Sequence, residues 1–239
     1  MRLDRFLSQA SGLTRSQAQR AIRRGEVRLD GVVVKDPGLH VPPPARVEFQ
    51  DQIIVAALGP QYFMLHKPVG VVCATHDSRH RTVLDLLDVP NASTLHIAGR
   101  LDLDATGLVL LTDDGGWSHR VMSPRHKFAK TYRVTLAEPL TAAAAQMLER
   151  GVQLKEEPEP CQPAVLERVA EREVRIIVTE GKYHQVKRMF AAVGNNVVTL
   201  HRERIGAIVL DPQLAPGGFR PLTSPEIESF QPRATTSPR

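Results

Sequence analysis

Between Gly99 and Gly115 the chain reads Gly99-Arg100-Leu101-Asp102-Leu103-Asp104-Ala105-Thr106-Gly107-Leu108-Val109-Leu110-Leu111-Thr112-Asp113-Asp114-Gly115. The apolar run Gly107 to Leu111 has the length of a buried strand, which leaves Arg100 and Asp102 on the loop that enters it. A carboxylate at the lip of a sheet, with a cation close by in sequence, is placed for reaction. It can act as a nucleophile or as a proton acceptor. For Arg-Leu-Asp standing alone, an aspartate capping its own loop is the ordinary alternative. A second chemistry is also spelled here, because Asp102, Asp104, Thr106, Gly107 and Asp113 fall at offsets 1, 3, 5, 6 and 12 of a calcium loop. That loop requires a glutamate at its last offset and helices on both sides, whereas a strand is expected from Gly107, so calcium is rejected.

Other metal chemistry finds little support. His76 and His80 are two of nine scattered histidines, and Cys73 and Cys161 lie far apart with no Cys-x-x-Cys spacing. No metal is expected, and the cysteines fit a reducing cytoplasm. Charges interrupt what would be the apolar core of a leader in Met-Arg-Leu-Asp-Arg-Phe-Leu, and no run is long enough to span a bilayer. The formal charge of +5 suggests an anionic partner, but a modest excess alone is weak evidence. Its location is more informative. Residues 1 to 30 hold seven arginines against Asp4, Glu26 and Asp30, a net of +4.

The elements that must position these groups follow from periodicity. Leu3, Phe6, Leu7 and Ala10 recur at helical spacing up to Ser11-Gly12. Thr14 and Gln17 read as a capping box for a second helix with Ala18, Ala21 and Ile22 as its stripe, stopped at Gly25. Arg15, Arg20, Arg23 and Arg24 are left mostly off that stripe. Val27 to Leu29 and Val32 to Val34 flank the tight turn Asp30-Gly31 as a hairpin. Pro42 to Pro44 interrupt the pattern, a strand is expected at Val47 to Phe49, and Leu58-Gly59-Pro60 reads as a hinge. From there, strands at Tyr62 to Leu65, Gly107 to Leu111, Thr131 to Leu136 and Val174 to Val178 alternate with helices at Leu140 to Glu149 and His184 to Val193. The fold class is α+β. Expected domains are 1–58 with the linker, 59–231, and a disordered tail at 232–239.

The Gly99–Gly115 segment closely resembles the signature of the pseudouridine synthases that act on ribosomal RNA. Three further segments resemble that family in the same order: Tyr62-Phe63-Met64-Leu65-His66-Lys67-Pro68-Val69-Gly70, Lys130-Thr131-Tyr132, and Glu180-Gly181-Lys182-Tyr183-His184-Gln185-Val186-Lys187-Arg188. One departure is His66, where the family's entry motif carries asparagine. The N-terminal helix-helix-hairpin resembles the S4 RNA-binding module of one branch of the family. The resemblance implies a mostly antiparallel mixed sheet flanked by helices, and no cofactor. No Walker or dinucleotide glycine motif is present either.

Pseudouridine formation breaks the bond between the sugar C1′ and uracil N1 and rejoins the base through C5. The resemblance gives Asp102 the reacting carboxylate's role, as nucleophile or base. Tyr132 becomes the active-site tyrosine that stacks on uracil, and Lys187 the cation facing Asp102. The alternatives are a strand tyrosine half buried in the core and a solvated lysine. Lys67, Arg100, Lys130, His184, Gln185 and Arg188 are expected to contact RNA, as are Arg15, Arg20, Arg23 and Arg24 through phosphates. The implied partner is 16S ribosomal RNA or a partly assembled small subunit; no membrane and no obligate protein partner are expected, and since no heptad stretch or long exposed strand asks for a partner, a monomer is the default. A 23S ribosomal RNA substrate, or a non-catalytic ribosome assembly factor, are the alternatives.

Overall fold

The computed structural model describes residues 1–41, 45–54, 59–89, 92–123 and 125–231. The tail expected at 232–239, Pro42 to Pro44, and Leu58 of the expected hinge lie outside them. The chain divides into two compact units, Met1–Gln61 with Asp88–Leu95, and Tyr62–Leu87 with His96–Arg239.

In the first unit, α1 (Leu3–Ser11) and α2 (Arg15–Arg23) precede β1 (Val27–Leu29), β2 (Val32–Val33), β3 (Val47–Phe49) and β4 (Gln52–Ile54). These strands form an antiparallel sheet in the order β2-β1-β3-β4. Gly12 ends α1 in the left-handed conformation, and both bonds of the Thr14–Gln17 capping box are made. Leu3, Phe6, Leu7, Ala18, Ile22, Val27 and Val47 form the core. Each large apolar side chain there contributes roughly 1.5–3 kcal/mol by leaving water.

One charge is buried with them. Asp4 is 0% exposed and accepts hydrogen bonds from Arg2, Arg15 and Gln19. Burial alone would raise its pKa, but the bonds from Gln19, Arg2 and Arg15 outweigh that and hold the carboxyl at about 2. A depressed folded value gives stability that is present above the ordinary carboxyl pKa and is lost as pH falls toward the folded one. Asp4→Asn is therefore expected to cost this unit ~1–2 kcal/mol at pH 7 and to flatten the loss of stability between about pH 4 and pH 2. Circular-dichroism melts across that range check it; an unaltered acid limb in the variant would disprove the linkage.

The second unit contains β5 (Tyr62–Lys67), β6 (His96–Ala98), β7 (Thr106–Thr112), α3 (Gly115–Met122), β8 (Lys130–Leu136), α4 (Ala142–Arg150), β9 (Val165–Ala170), β10 (Glu173–Val178), α5 (Gln185–Ala192), β11 (Val197–Ile205), β12 (Ile208–Val209), β13 (Phe219–Pro221) and α6 (Ser224–Glu228). The strand order is β13-β5-β7-β11-β8-β10-β9, with β6 added on β7 and β12 on β11. Every pairing is antiparallel except β7 with β11, so the expected mixed, mostly antiparallel sheet with flanking helices is what the chain forms. Residues 107–112 of β7 are buried throughout, which is why its sequence is continuously apolar.

β7 pairs with β5 along its length, while its other edge is divided. Leu110 to Thr112 pair with β6, and Thr106 and Gly107 pair with β11. Leu108 falls between those pairings. The loop from Gly99 to Ala105 connects β6 to β7 beside the same gap. Gly107 is required at the crossing, because it has a φ of +109° and a Cβ there would lie 2.3 Å from the Arg202 carbonyl oxygen.

Candidate active site

Two buried cations hold the loop that carries Asp102. Lys67, at the end of β5, is 0% exposed, and its Nζ donates to the carbonyls of Pro68 at 3.0 Å, Leu103 at 3.3 Å and Ala105 at 2.7 Å. Arg202, on β11, is 1% exposed. Its Nε donates to Leu108 O at 2.8 Å, filling the gap in the β7 edge, while Nη2 and Nη1 reach Gly99 O at 2.8 Å and Arg100 O at 3.3 Å. These carbonyls would otherwise be left without strand partners in a dry interior. Leu103 O also accepts the Gly70 amide, and the Leu101 amide points to Cys73 Sγ. The loop is thus fixed at both ends before any ligand arrives.

Asp102 is held at the apex of that loop with its side chain 24% exposed. Lys187 Nζ lies 3.1 Å from Oδ2 and His184 Nε2 lies 3.3 Å from Oδ1. Lys187 also donates to Asp104 Oδ1 at 2.5 Å. Burial alone would lower the Lys187 pKa, but its bonds to Asp104 and Asp102 carry it above the ordinary lysine value, so it stays charged at neutral pH. The same bond to Lys187 lowers the Asp104 pKa. A permanent cation between two carboxylates orients Asp102 without donating its proton.

His184 begins α5 with φ +46° and ψ +35°, a left-handed conformation that few side chains adopt. Gln185 secures that turn, accepting the Lys182 amide at 2.8 Å and donating to Glu180 Oε1 at 2.7 Å. The Tyr183 ring stacks on His184 with centroids 3.8 Å apart. Opposite, Tyr132 of β8 is 8% exposed, with the Arg202 guanidinium 6.0 Å from its ring centroid. Asp102, Tyr132, Arg202, Lys130 and His184 all line one cleft of about 610 Å³. That is within the about 300–1,000 Å³ usual for small-molecule sites.

Several expected contacts are corrected by burial. Lys67 cannot meet RNA, because it is sealed beneath the loop and serves to position it. Gln185 is buried and braces the turn before α5. Arg188 is tied to Glu157 at 2.8 Å, to Tyr183 O at 3.0 Å and to Lys155 O, so three of its five donors are already engaged within the protein. Arg15 stays exposed but pairs with Asp4 at 3.3 Å, and Arg24 lies 3.8 Å from Glu26, so the acids of this region are closer than their number suggested. Arg20 and Arg23 are exposed on α2, and Arg100 is exposed at the cleft. Lys130 lines the cleft and donates to Phe128 O at 3.3 Å; burial lowers its pKa. His66, the departure from the entry motif, has Nδ1 2.7 Å from Leu214 O and packs edge-on to His201. The strand over Thr106–Thr112 and the Lys187–Asp104 bond take up the groups that the calcium spacing had offered.

Arg202 and Asp104 were not anticipated. Arg202 lies in Val197-Val198-Thr199-Leu200-His201-Arg202-Glu203-Arg204-Ile205, where charged residues obscure the strand pattern. The available signal was period-2 alternation ending at Gly206, a strand and turn signature.

If Lys67 acts by holding the loop, Lys67→Met should lose activity and stability together. About 2–4 kcal/mol of stability is at stake, because three carbonyls lose the Lys67 ammonium at once and, among the described residues, only Leu103 O keeps another donor, the Gly70 amide. Turnover should fall by roughly a hundredfold with RNA affinity little changed. Chemical denaturation, turnover and RNA titration on one preparation check this, and a selective loss of RNA affinity would restore the contact role.

The sequence pattern of the RNA pseudouridylate synthase family matches residues 61–192, and that of the S4 domain matches residues 1–47. The ribosomal small subunit pseudouridine synthase A of Yersinia pestis is 55% identical over 229 residues, covering 96% of this chain and 97% of its own length. The protein of the same name from Escherichia coli K12 is 53% identical, covering 96% and 99%. Among solved structures, one described as a pseudouridylate synthase superimposes with a TM-score of 0.70 at 48% identity, covering 97% of this chain and all of that one.

Proposed function

Because the chain belongs to the RNA pseudouridylate synthase family, with an S4 domain ahead of the catalytic unit, we propose that it converts one uridine of the small-subunit ribosomal RNA, the 16S species, to pseudouridine. The observation that carries this reading is Asp102, which lines the cleft with Lys187 and His184 on its two oxygens. The target uridine must leave its stack to bring C1′ and C5 to that carboxylate. Its base enters the cleft against Tyr132, whose ring is steadied by the Arg202 guanidinium. Asp102 then acts on the nucleoside as nucleophile or as base. Lys187 keeps the carboxylate oriented, and Lys67 and Arg202 keep the loop from yielding as the base is detached and turned. The enzyme works as a monomer in the cytoplasm, on the RNA or on a partly assembled small subunit. No described helix is long and apolar enough to cross a membrane.

Pseudouridine mapping of ribosomal RNA from cells with and without the gene tests the proposal. Loss of one 16S site supports it, a lost 23S site overturns the substrate, and no lost site with an inactive purified enzyme overturns the reaction.

The S4 unit contributes affinity through phosphates. Arg20 and Arg23, exposed on α2 with no carboxylate partner among the described residues, are the residues proposed for this contact. Replacing both with alanine is expected to raise KM about tenfold with kcat unchanged, and to reduce the salt slope of RNA binding by roughly 1 to 2. Binding titrations at several salt concentrations check it, and an unchanged slope would rule these arginines out.

A further inference from the structure

We propose that a second pocket, beside the cleft that holds Asp102, receives a nucleotide flanking the target uridine. The inference rests on the RNA-modifying reading and extends it to a neighbouring position in the strand. A hollow of about 470 Å³ opens between the Cys73–Thr75 segment, β6 and α3. It adjoins the cleft, because Cys73, Ala74, Arg100 and Met122 line both. The proposed chemistry at Asp102 uses none of its remaining wall.

Three features of that wall identify the occupant. Ser118 of α3 lines it, is 3% exposed, and has an Oγ that finds no hydrogen-bond partner among the described residues. A buried hydroxyl left in that state costs about 1–3 kcal/mol, which a ligand recovers once the Ser118 side chain turns to meet it. His96 and His119 are exposed at the rim, offering ring faces and ring nitrogens of the kind that stack on and hydrogen-bond to unpaired bases. The described lining contains no carboxylate, and Arg100 supplies a positive charge, which suits a phosphodiester.

Adjacency makes the occupant an immediate neighbour of the target. Arg100 is shared by both hollows and stands on the loop of Asp102, so a group in the second pocket lies next to the reacting uridine. Extruding the uridine unstacks its neighbours, and the pocket replaces the stacking that one of them loses.

The test uses the full-length enzyme and a ribosomal RNA fragment that contains the target, with each flanking nucleotide replaced in turn by an abasic residue. For the wild type, one of these replacements is expected to raise KM about tenfold, the scale of one base–ring stacking contact, with kcat within about twofold. Thr75→Trp fills the exposed mouth of the pocket from a position that does not itself line the Asp102 cleft. It should raise KM by a similar factor on intact RNA and make the enzyme indifferent to the abasic residue. Ser118→Ala, which removes a group with no protein partner, should raise KM by about three- to fivefold and leave thermal stability unchanged or higher. The proposal is overturned if neither abasic replacement matters, or if Thr75→Trp and wild type lose the same factor on the abasic RNA. If the wild type modifies no ribosomal RNA, the uridine-modifying reading fails. The pocket is then judged by the same comparison in dissociation constants from fluorescence anisotropy, where coupling supports it and additivity overturns it.

Discussion

Asp102→Asn is expected to reduce pseudouridine formation by roughly a thousandfold or more, the upper range of what one reacting group contributes. RNA affinity should stay within about threefold of wild type, because the substitution keeps the shape of the side chain and disturbs no group proposed for phosphate binding. The fold should also tolerate it. Lys187 would lose a charged partner 3.1 Å away but keep Asp104 at 2.5 Å, and the loop would remain fastened by Lys67 and Arg202 through main-chain carbonyls that the variant does not alter. This combination separates an enzyme from a non-catalytic assembly factor. Turnover measured on 16S RNA, with affinity and melting temperature from the same preparation, decides it. Equal turnover by wild type and variant would refute the catalytic proposal, and a variant that loses RNA binding as fast as turnover would move Asp102 from chemistry to recognition.

Gly107→Ala should be the most damaging single-methyl change in the second unit. Its Cβ would stand 2.3 Å from Arg202 O, 2.6 Å from Arg202 N and 2.9 Å from Arg202 C. All three are main-chain atoms of the strand paired in parallel with β7, so no side-chain rotation relieves the clash. The φ of +109° is itself a conformation that alanine resists. Strain and overpacking together are expected to cost roughly 3–5 kcal/mol, or a fall of about 10 °C in Tm. Activity should fall further than the folded fraction does. Moving β11 away from β7 withdraws the Arg202 guanidinium from Gly99 and Arg100, and the Asp102 loop then loses one of its two anchors. Thermal unfolding and turnover at a temperature where the variant is folded test both parts. A variant with wild-type Tm would mean that the strands do not approach as described, and full activity in a destabilised variant would mean that Arg202 does not position the loop.

The two variants bear on different parts of the site. Asp102 lines the cleft and is the group proposed to act on what enters it, whereas Gly107 is buried and acts only through the backbone it admits. Lys67 belongs with Gly107, although as a lysine it looks in sequence like an RNA contact. The structure distinguishes them by burial, since a cation with three carbonyl acceptors and no exposed surface positions the loop and does not bind phosphate.

Sequence alone determined much of this protein. Period-3.6 and period-2 patterns located α1, α2, the β1–β2 hairpin and the apolar strands β5, β7, β8 and β10, because those elements each bury a face and local spacing records which one. The motif around Asp102 and its order relative to Tyr132 and Lys187 pointed to the family, since the identities of reacting groups are written residue by residue. Tertiary structure decided how those residues are supported. β11 went unrecognised because His201, Arg202 and Arg204 interrupt its apolar pattern, although Arg202 is buried where β6 and β11 leave a gap on the β7 edge. The fates of Lys67, Gln185 and Arg188 were likewise hidden, because each satisfies partners on segments brought together only by folding. Whether a polar side chain meets solvent or a distant carbonyl depends on long-range pairing that no local spacing encodes. The motif residues could be read from the chain, but the groups that hold them still could be assigned only after the sheet had formed.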